Sequence, residues 1–99
     1  MNSLIEELVL QIIKGIKIFL ETNKYLYSKK SEDILRINLL KELSKPSIHQ
    51  SKTPTQIVND FLHEEFNEEF NLTPANFGEK AHQLIIEWGV QKAKDISEK

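Results

Sequence analysis

Apolar residues near the start of the chain recur at the spacing of one helix face. Ile5, Leu8, Val9, Ile12, Ile13, Ile16, Phe19 and Leu20 follow the i, i+3, i+4, i+7 rule. Leu4, Leu10 and Ile18 fall outside that stripe, with Ile18 on the far side near Lys14 and Glu7. Gly15 lies at the stripe's edge, where the missing side chain lets another element approach closely at a cost of roughly 1 kcal/mol of helix propensity relative to Ala. Further on, Leu35, Leu39 and Leu43 make a second stripe, while Ile34, Ile37 and Leu40 spread around the rest of the same helix. A helix apolar on all sides is normally buried on all sides. Two neighbouring helices and a covering loop account for that pattern; so does contact with a second chain. The off-stripe residues of the first helix favour the second account, because an uncovered apolar strip is a liability on a soluble monomer.

A third run buries Val58, Phe61, Leu62 and Phe66, with Ile57 and Phe70 at its margins. Glu65 and Glu69 project into the same arc. One reading is that the core has run out by the third turn and both carboxylates are solvated. The other is a contact surface in which Phe66 and Phe70 anchor a partner and the carboxylates meet its basic groups. The fourth run uses Phe77, Ala81, Leu84, Ile85, Trp88 and the aliphatic stem of Lys92. Trp88 belongs in the core, where its indole N–H needs a partner.

Start signals delimit these runs. Ser3 with Glu6 has the spacing of a capping box, and Ser31 followed by Glu32 and Asp33 is a cap with two carboxylates at the positive end of a helix. Thr53-Pro54-Thr55-Gln56 gives a Thr cap with Pro at the first helical position, and Thr73-Pro74-Ala75-Asn76 repeats it, with Leu72 and Phe77 as a hydrophobic staple. Asn23 and the stretch Ser28–Ser31 separate the first two helices, Pro46 and a polar linker from Ser47 to Lys52 follow the second, and Asn71 closes the third. The pattern predicts an all-α, compact bundle of about four helices near 3–22, 32–44, 54–70 and 74–97, in one domain spanning 1–99.

Composition narrows the function. The chain has 99 residues, 28% charged and 39% hydrophobic, an ordinary globular balance. Cysteine is absent, so there is no disulfide framework, thiolate zinc site or thiol nucleophile, and a cytoplasmic location is expected. The segment from Leu4 to Leu20 is apolar, but Glu6, Glu7, Lys14 and Lys17 interrupt it where a membrane span wants about twenty apolar residues. No membrane association is expected. The abundance of Ile, Leu, Lys, Glu and Asn fits an AT-rich bacterial or phage genome.

The histidines offer little chemistry. His63-Glu64-Glu65 begins like a zinc-protease signature, but the second His is missing and Asn67 stands in its place. Asp60 with His63 and Glu79 with His82 have the carboxylate-x-x-His spacing of di-metal bundles. Those ligands must face the core, whereas Asp60 and Glu79 lie nearly opposite the apolar stripes of their helices. With no Gly-rich phosphate loop or nucleophile spacing, the sequence predicts no catalysis, no cofactor, no metal and no small-molecule substrate.

Charge is uneven. Residues 1–50 carry eight Lys and Arg against six Asp and Glu, and residues 51–99 carry five against nine, giving a net charge of −2. The basic stretch from Asn23 to Lys30 alternates cations with aromatics, and Lys24, Tyr25, Tyr27, Lys29 and Lys30, extended by Arg36, form a candidate nucleic-acid contact. The leading expectation is a non-catalytic protein-interaction module, a small helical subunit, adaptor or inhibitor. Its candidate partner-binding residues are Leu10, Ile18, Ile34, Ile37, Leu40, Glu65, Phe66, Glu69 and Phe70. The alternative is a subunit contacting a nucleic-acid backbone within a larger complex. Small Cys-poor bundles of this architecture occur among bacteriocin immunity proteins, antitoxin-like inhibitors and helical subunits of CRISPR effector complexes, an analogy of shape alone.

Overall fold

In the computed structural model, residues 3–45 and 52–97 are described, and among them there are four α-helices and no strand. They are α1 (Ser3–Thr22), α2 (Lys29–Leu43), α3 (Pro54–Phe66) and α4 (Glu79–Ser97), with a 3-10 turn over Pro74–Phe77 ahead of α4. The Ser3 side chain, Pro46 and the linker from Ser47 to Ser51 lie outside the described residues.

α1 is the shared element. It packs against α2, against α4 and against the 3-10 turn, while α3 packs on α2. The spatial order is therefore α3, α2, α1, α4, a row folded around one core without comparable packing between α3 and α4 to close a ring. The molecule measures 45 × 24 × 24 Å. The core is the one that the apolar spacing predicts. Ile5, Leu8, Val9, Ile12, Ile13, Ile16 and Leu20 of α1 meet Leu35, Leu39 and Leu43 of α2, joined by Ile57, Val58, Leu62, Phe77, Ala81 and Trp88. Phe19 is half-buried against them, and Ile57, expected at the margin, is fully inside.

Gly15 is where the backbone of the 3-10 turn crosses α1. A Cβ at that position would stand 2.7 Å from the Phe77 carbonyl carbon and 2.8 Å from its Cα. The close approach expected from the missing side chain is made by this turn rather than by a full helix.

Helix ends differ from expectation at three places. α2 starts at Lys29, because Ser28 is the cap; its Oγ accepts the Ser31 N–H at 3.1 Å. Ser31 is itself buried and its Oγ donates to Glu65 Oε2 on α3 at 2.6 Å. α3 stops at Phe66, four residues early, because Asn67 takes the left-handed conformation (φ 52°) that ends a helix and that Asn tolerates better than other side chains. The Thr73-Pro74 start opens only the 3-10 turn; Gly78, at φ 97°, redirects the chain and α4 begins at Glu79. There the Asn76 side-chain oxygen accepts the Thr73 N–H at 2.8 Å.

α1 ends in a Schellman motif with Lys24 at the left-handed position (φ 64°), where Gly is usual. Lys24 N–H reaches Glu21 O at 3.1 Å and Tyr25 N–H reaches Leu20 O at 2.9 Å. Thr53 caps α3 as expected, accepting the Gln56 N–H at 3.2 Å.

Because Ser28 both caps α2 and hydrogen-bonds Ser31 Oγ at 3.0 Å, Ser28→Ala removes a cap and half of the support of the Ser31–Glu65 link. The expected loss is about 1 kcal/mol, read as a lower urea midpoint with unchanged slope.

Candidate functional site

The described helices leave several large aliphatic side chains in water. On α2, Ile37 is 62% exposed and Ile34 is partly exposed beside it, on the side of the helix away from Leu35, Leu39 and Leu43. Leu40 turns inward and is half-buried against the core. On α1, Ile18 is 65% exposed and Leu10 is exposed on a different part of the outer surface. Three more were not expected: Leu26 in the α1–α2 connection, 92% exposed, and Ile86 and Val90 on α4, at 54% and 64%. Ile86 and Val90 carry the i, i+4 spacing that marks one face. Their outward direction follows from the positions of Leu84, Ile85 and Trp88, which already occupy the face against α1.

Next to Ile34, a groove of about 690 Å³ runs between α2 and α3. Ile34, Ile57 and Phe61 form its apolar part; Lys41, Asp60 and Glu64 are on its rim. Asp60 holds Lys52 at 2.8 Å, which raises the Lys52 ammonium above its ordinary value through that hydrogen bond and charge. A smaller, mainly apolar notch of about 310 Å³ opens between Gly15, Ile18 and Phe19 of α1 and the 3-10 turn.

The acidic-aromatic region is assembled differently from a free surface. Tyr25 lies against Phe66 and Phe70, with ring centroids at 4.8 and 5.6 Å, and Phe66 and Phe70 are 6.0 Å apart. The Tyr25 hydroxyl donates to Glu68 at 2.9 Å, and that bond, followed by burial, raises the phenol above its ordinary value. These aromatics tie the segment after α3 to the end of α1. Asn59 completes the tie: its side chain accepts the Leu72 N–H at 2.9 Å and donates to Leu72 O at 3.0 Å. Glu65 faces buried Ser31, whereas Glu69 borders a polar recess with His63 and Asp60.

The basic-aromatic segment is also partly committed. Tyr27 is half-buried and its hydroxyl finds no partner among the described residues; burial, then the Glu32 carboxylate, pushes that phenol far up. Lys29 pairs with Glu32 and Asp33 at 3.2 Å each, and those bonds raise its ammonium above the ordinary value. Arg36 donates to Asp33 at 2.9 Å and reaches Glu32 at 3.7 Å. Lys24 and Lys30 are exposed and make no ion pair among the described residues.

The two carboxylate-x-x-His pairs are not brought together as ligands. Asp60 is engaged with Lys52, and His63 Nδ1 lies 3.0 Å from Glu68 O. Among the described residues there is no group of three or more His, Asp or Glu with metal-binding geometry. Trp88 is buried as expected, with Lys92 5.9 Å above its ring, but its indole N–H has no partner among the described residues. No described helix is long and apolar enough to cross a membrane.

Comparison with protein families, characterised proteins and solved structures finds no match.

Proposed function

We propose that this chain is a non-catalytic protein-binding module that acts as a small helical subunit, adaptor or inhibitor in a larger assembly. The observation that carries the proposal is Ile37, 62% exposed on the outward side of a helix whose core side is already filled. Fully burying one such side chain is worth about 1.5–3 kcal/mol, and Ile34 beside it adds to the same strip. A partner that covers both recovers that energy; water does not. A cytoplasmic location belongs to the same proposal.

The packing of the tyrosines favours this reading over contact with a nucleic-acid backbone. Stacking on bases needs free ring faces. Tyr25 is packed against Phe66 and Phe70, and Tyr27 is half-buried. Lys29 and Arg36 are spent on Glu32 and Asp33, which leaves Lys24 and Lys30 as the segment's available cations.

The test places a photo-crosslinking residue at position 37 in the native host. Adducts heavier than the 11.5 kDa chain are expected at 37 and not at exposed polar positions away from that helix such as Glu21. In parallel, Ile37→Glu is expected to weaken association at least about tenfold while the helical circular dichroism stays unchanged. Loss of helicity instead would assign Ile37 a folding role and sink the reading, as would the absence of any adduct.

A further inference from the structure

We infer that the chain between α3 and the 3-10 turn is a latch, which opens as one unit while the four helices stay folded. The inference goes beyond the protein-binding reading and does not rest on it. From Glu68 to Leu72, no backbone N–H or C=O pairs with another backbone group among the described residues. The ends of this stretch are fixed, by Asn67 in its left-handed conformation and by Thr73, whose N–H is taken by the Asn76 side chain. Between them the chain is held by side chains.

Three fastenings do this. At the start, the Tyr25 hydroxyl donates to the Glu68 carboxylate at 2.9 Å, and His63 Nδ1 lies 3.0 Å from the Glu68 carbonyl oxygen. In the middle, the Phe70 ring rests on Tyr25 and Phe66, with centroids at 5.6 and 6.0 Å. At the end, Asn59 accepts the Leu72 N–H and donates to Leu72 O. Tyr25 takes part in the first two and is itself set by its N–H bond to Leu20 O, which closes α1.

All three fastenings sit at the surface. Phe70 and Leu72 are half-buried and every other residue from 67 to 73 is exposed, whereas α1, α2 and α4 are joined through a fully buried core. Opening the latch breaks no helical hydrogen bond and moves no fully buried side chain, so it lies at the low end of the openings available to a folded domain. Without backbone bonds of its own, the stretch has no conformation apart from its fastenings. Phe70 stands between Glu68 and Leu72, and losing its seat on Tyr25 frees both neighbours. One consequence concerns the polar recess beside α3. Gln56, Asp60 and His63 form one wall of it, and Glu69, Phe70 and Asn71 form the other. The recess therefore exists only while the latch is closed.

Native-state hydrogen exchange, under conditions where rates follow the opening equilibrium, tests this. Leu72 N–H is the bonded amide inside the stretch, and Ile12 N–H in the core of α1 reports global unfolding. In the wild-type chain Leu72 is expected to exchange at least about a hundredfold faster than Ile12, with little dependence on low urea. Ile16→Val trims the core, which stays packed in the open state; it is expected to speed Ile12 about threefold or more and leave Leu72 unchanged. Tyr25→Phe keeps the ring and removes the bond to Glu68. It is expected to speed Leu72 and Ile12 by the same factor, at least about threefold, because both openings lose that bond. Phe70→Leu gives the same reading from the ring contact. A Leu72 amide that follows Ile12 in the Ile16→Val chain shows that the stretch opens only on global unfolding and overturns the inference. So does a Leu72 rate that Tyr25→Phe and Phe70→Leu leave unchanged, since the fastenings would then let go separately.

Discussion

Gly15→Ala lowers the thermal midpoint of this chain by roughly 10 °C, although Ala is the better helix former by about 1 kcal/mol. The added methyl would overlap the Phe77 carbonyl oxygen and stand 2.7 Å from the carbonyl carbon. The obstacle is backbone, held between Pro74 and Gly78, so no side-chain rotation relieves it. Overpacking of this kind costs about 1–3 kcal/mol, and more when main chain must move, which outweighs the propensity gain. Gly89→Ala is the internal control. It lies within α4 with nothing within 4 Å of the new methyl, so the same substitution is expected to raise the midpoint by a few degrees. Thermal denaturation followed by circular dichroism checks both. Equal shifts at the two positions would show that the turn yields and that the crossing is not tight.

Leu39→Ala is expected to cost about 2–5 kcal/mol, a large share of the roughly 5–15 kcal/mol that hold a domain of this size. Leu39 is fully buried between Leu35 and Leu43, where α1 and α3 both press on α2 and little can collapse into the space left behind. Two residues earlier on the same helix, Ile37→Ala is expected to change stability by no more than about 0.5 kcal/mol. Urea titration of the pair measures the contrast directly. Comparable losses at both positions would place Ile37 in the core and take away the surface on which the functional proposal stands.

Much of the fold is legible in the sequence, because each helix carries its own periodic stripe. The α1 residues from Ile5 to Leu20 and the Leu35, Leu39, Leu43 row of α2 are buried as their spacing predicts. Boundaries are less legible where two candidates lie close together. Ser28 and Ser31 are both sound caps three residues apart; the choice falls on Ser28 because Ser31 is drawn inside by Glu65, a residue 34 positions away. Asn67 and Asn71 both suit a helix end, and the earlier one wins once Asn59 binds Leu72 and Tyr25 draws in Phe66 and Phe70. Pro74 marks the 3-10 turn, and Gly78 was the available sign that the helix proper starts later.

The outward apolar residues were legible on α1 and α2 and missed on α4. A stripe identifies the core side of a helix by counting, but the residues left over matter only once the neighbours are known. The fourth run has enough apolar residues to pass for an ordinary amphipathic helix; Ile86 and Val90 stand apart only because α4 has α1 and the 3-10 turn as partners and no comparable packing with α3. The hydroxyl–carboxylate link from Ser31 to Glu65 was out of reach for the same reason, since only the packing of α3 on α2 sets the two side by side.

The central place of α1 has a consequence for how the chain is made. Its stripe is shared between α2, which follows at once, and α4, which is synthesised after α2 and α3. Until Ala81 and Trp88 have been synthesised, the surface of α1 that they cover is without its native partner. The nascent chain therefore carries an unfinished apolar helix until α4 has emerged, and the docking of α4 onto α1 follows the synthesis of all the helices between them. α2 and α3 can pair early through contacts close in sequence, whereas the α1–α4 seam is the long-range closure on which the speed of folding depends.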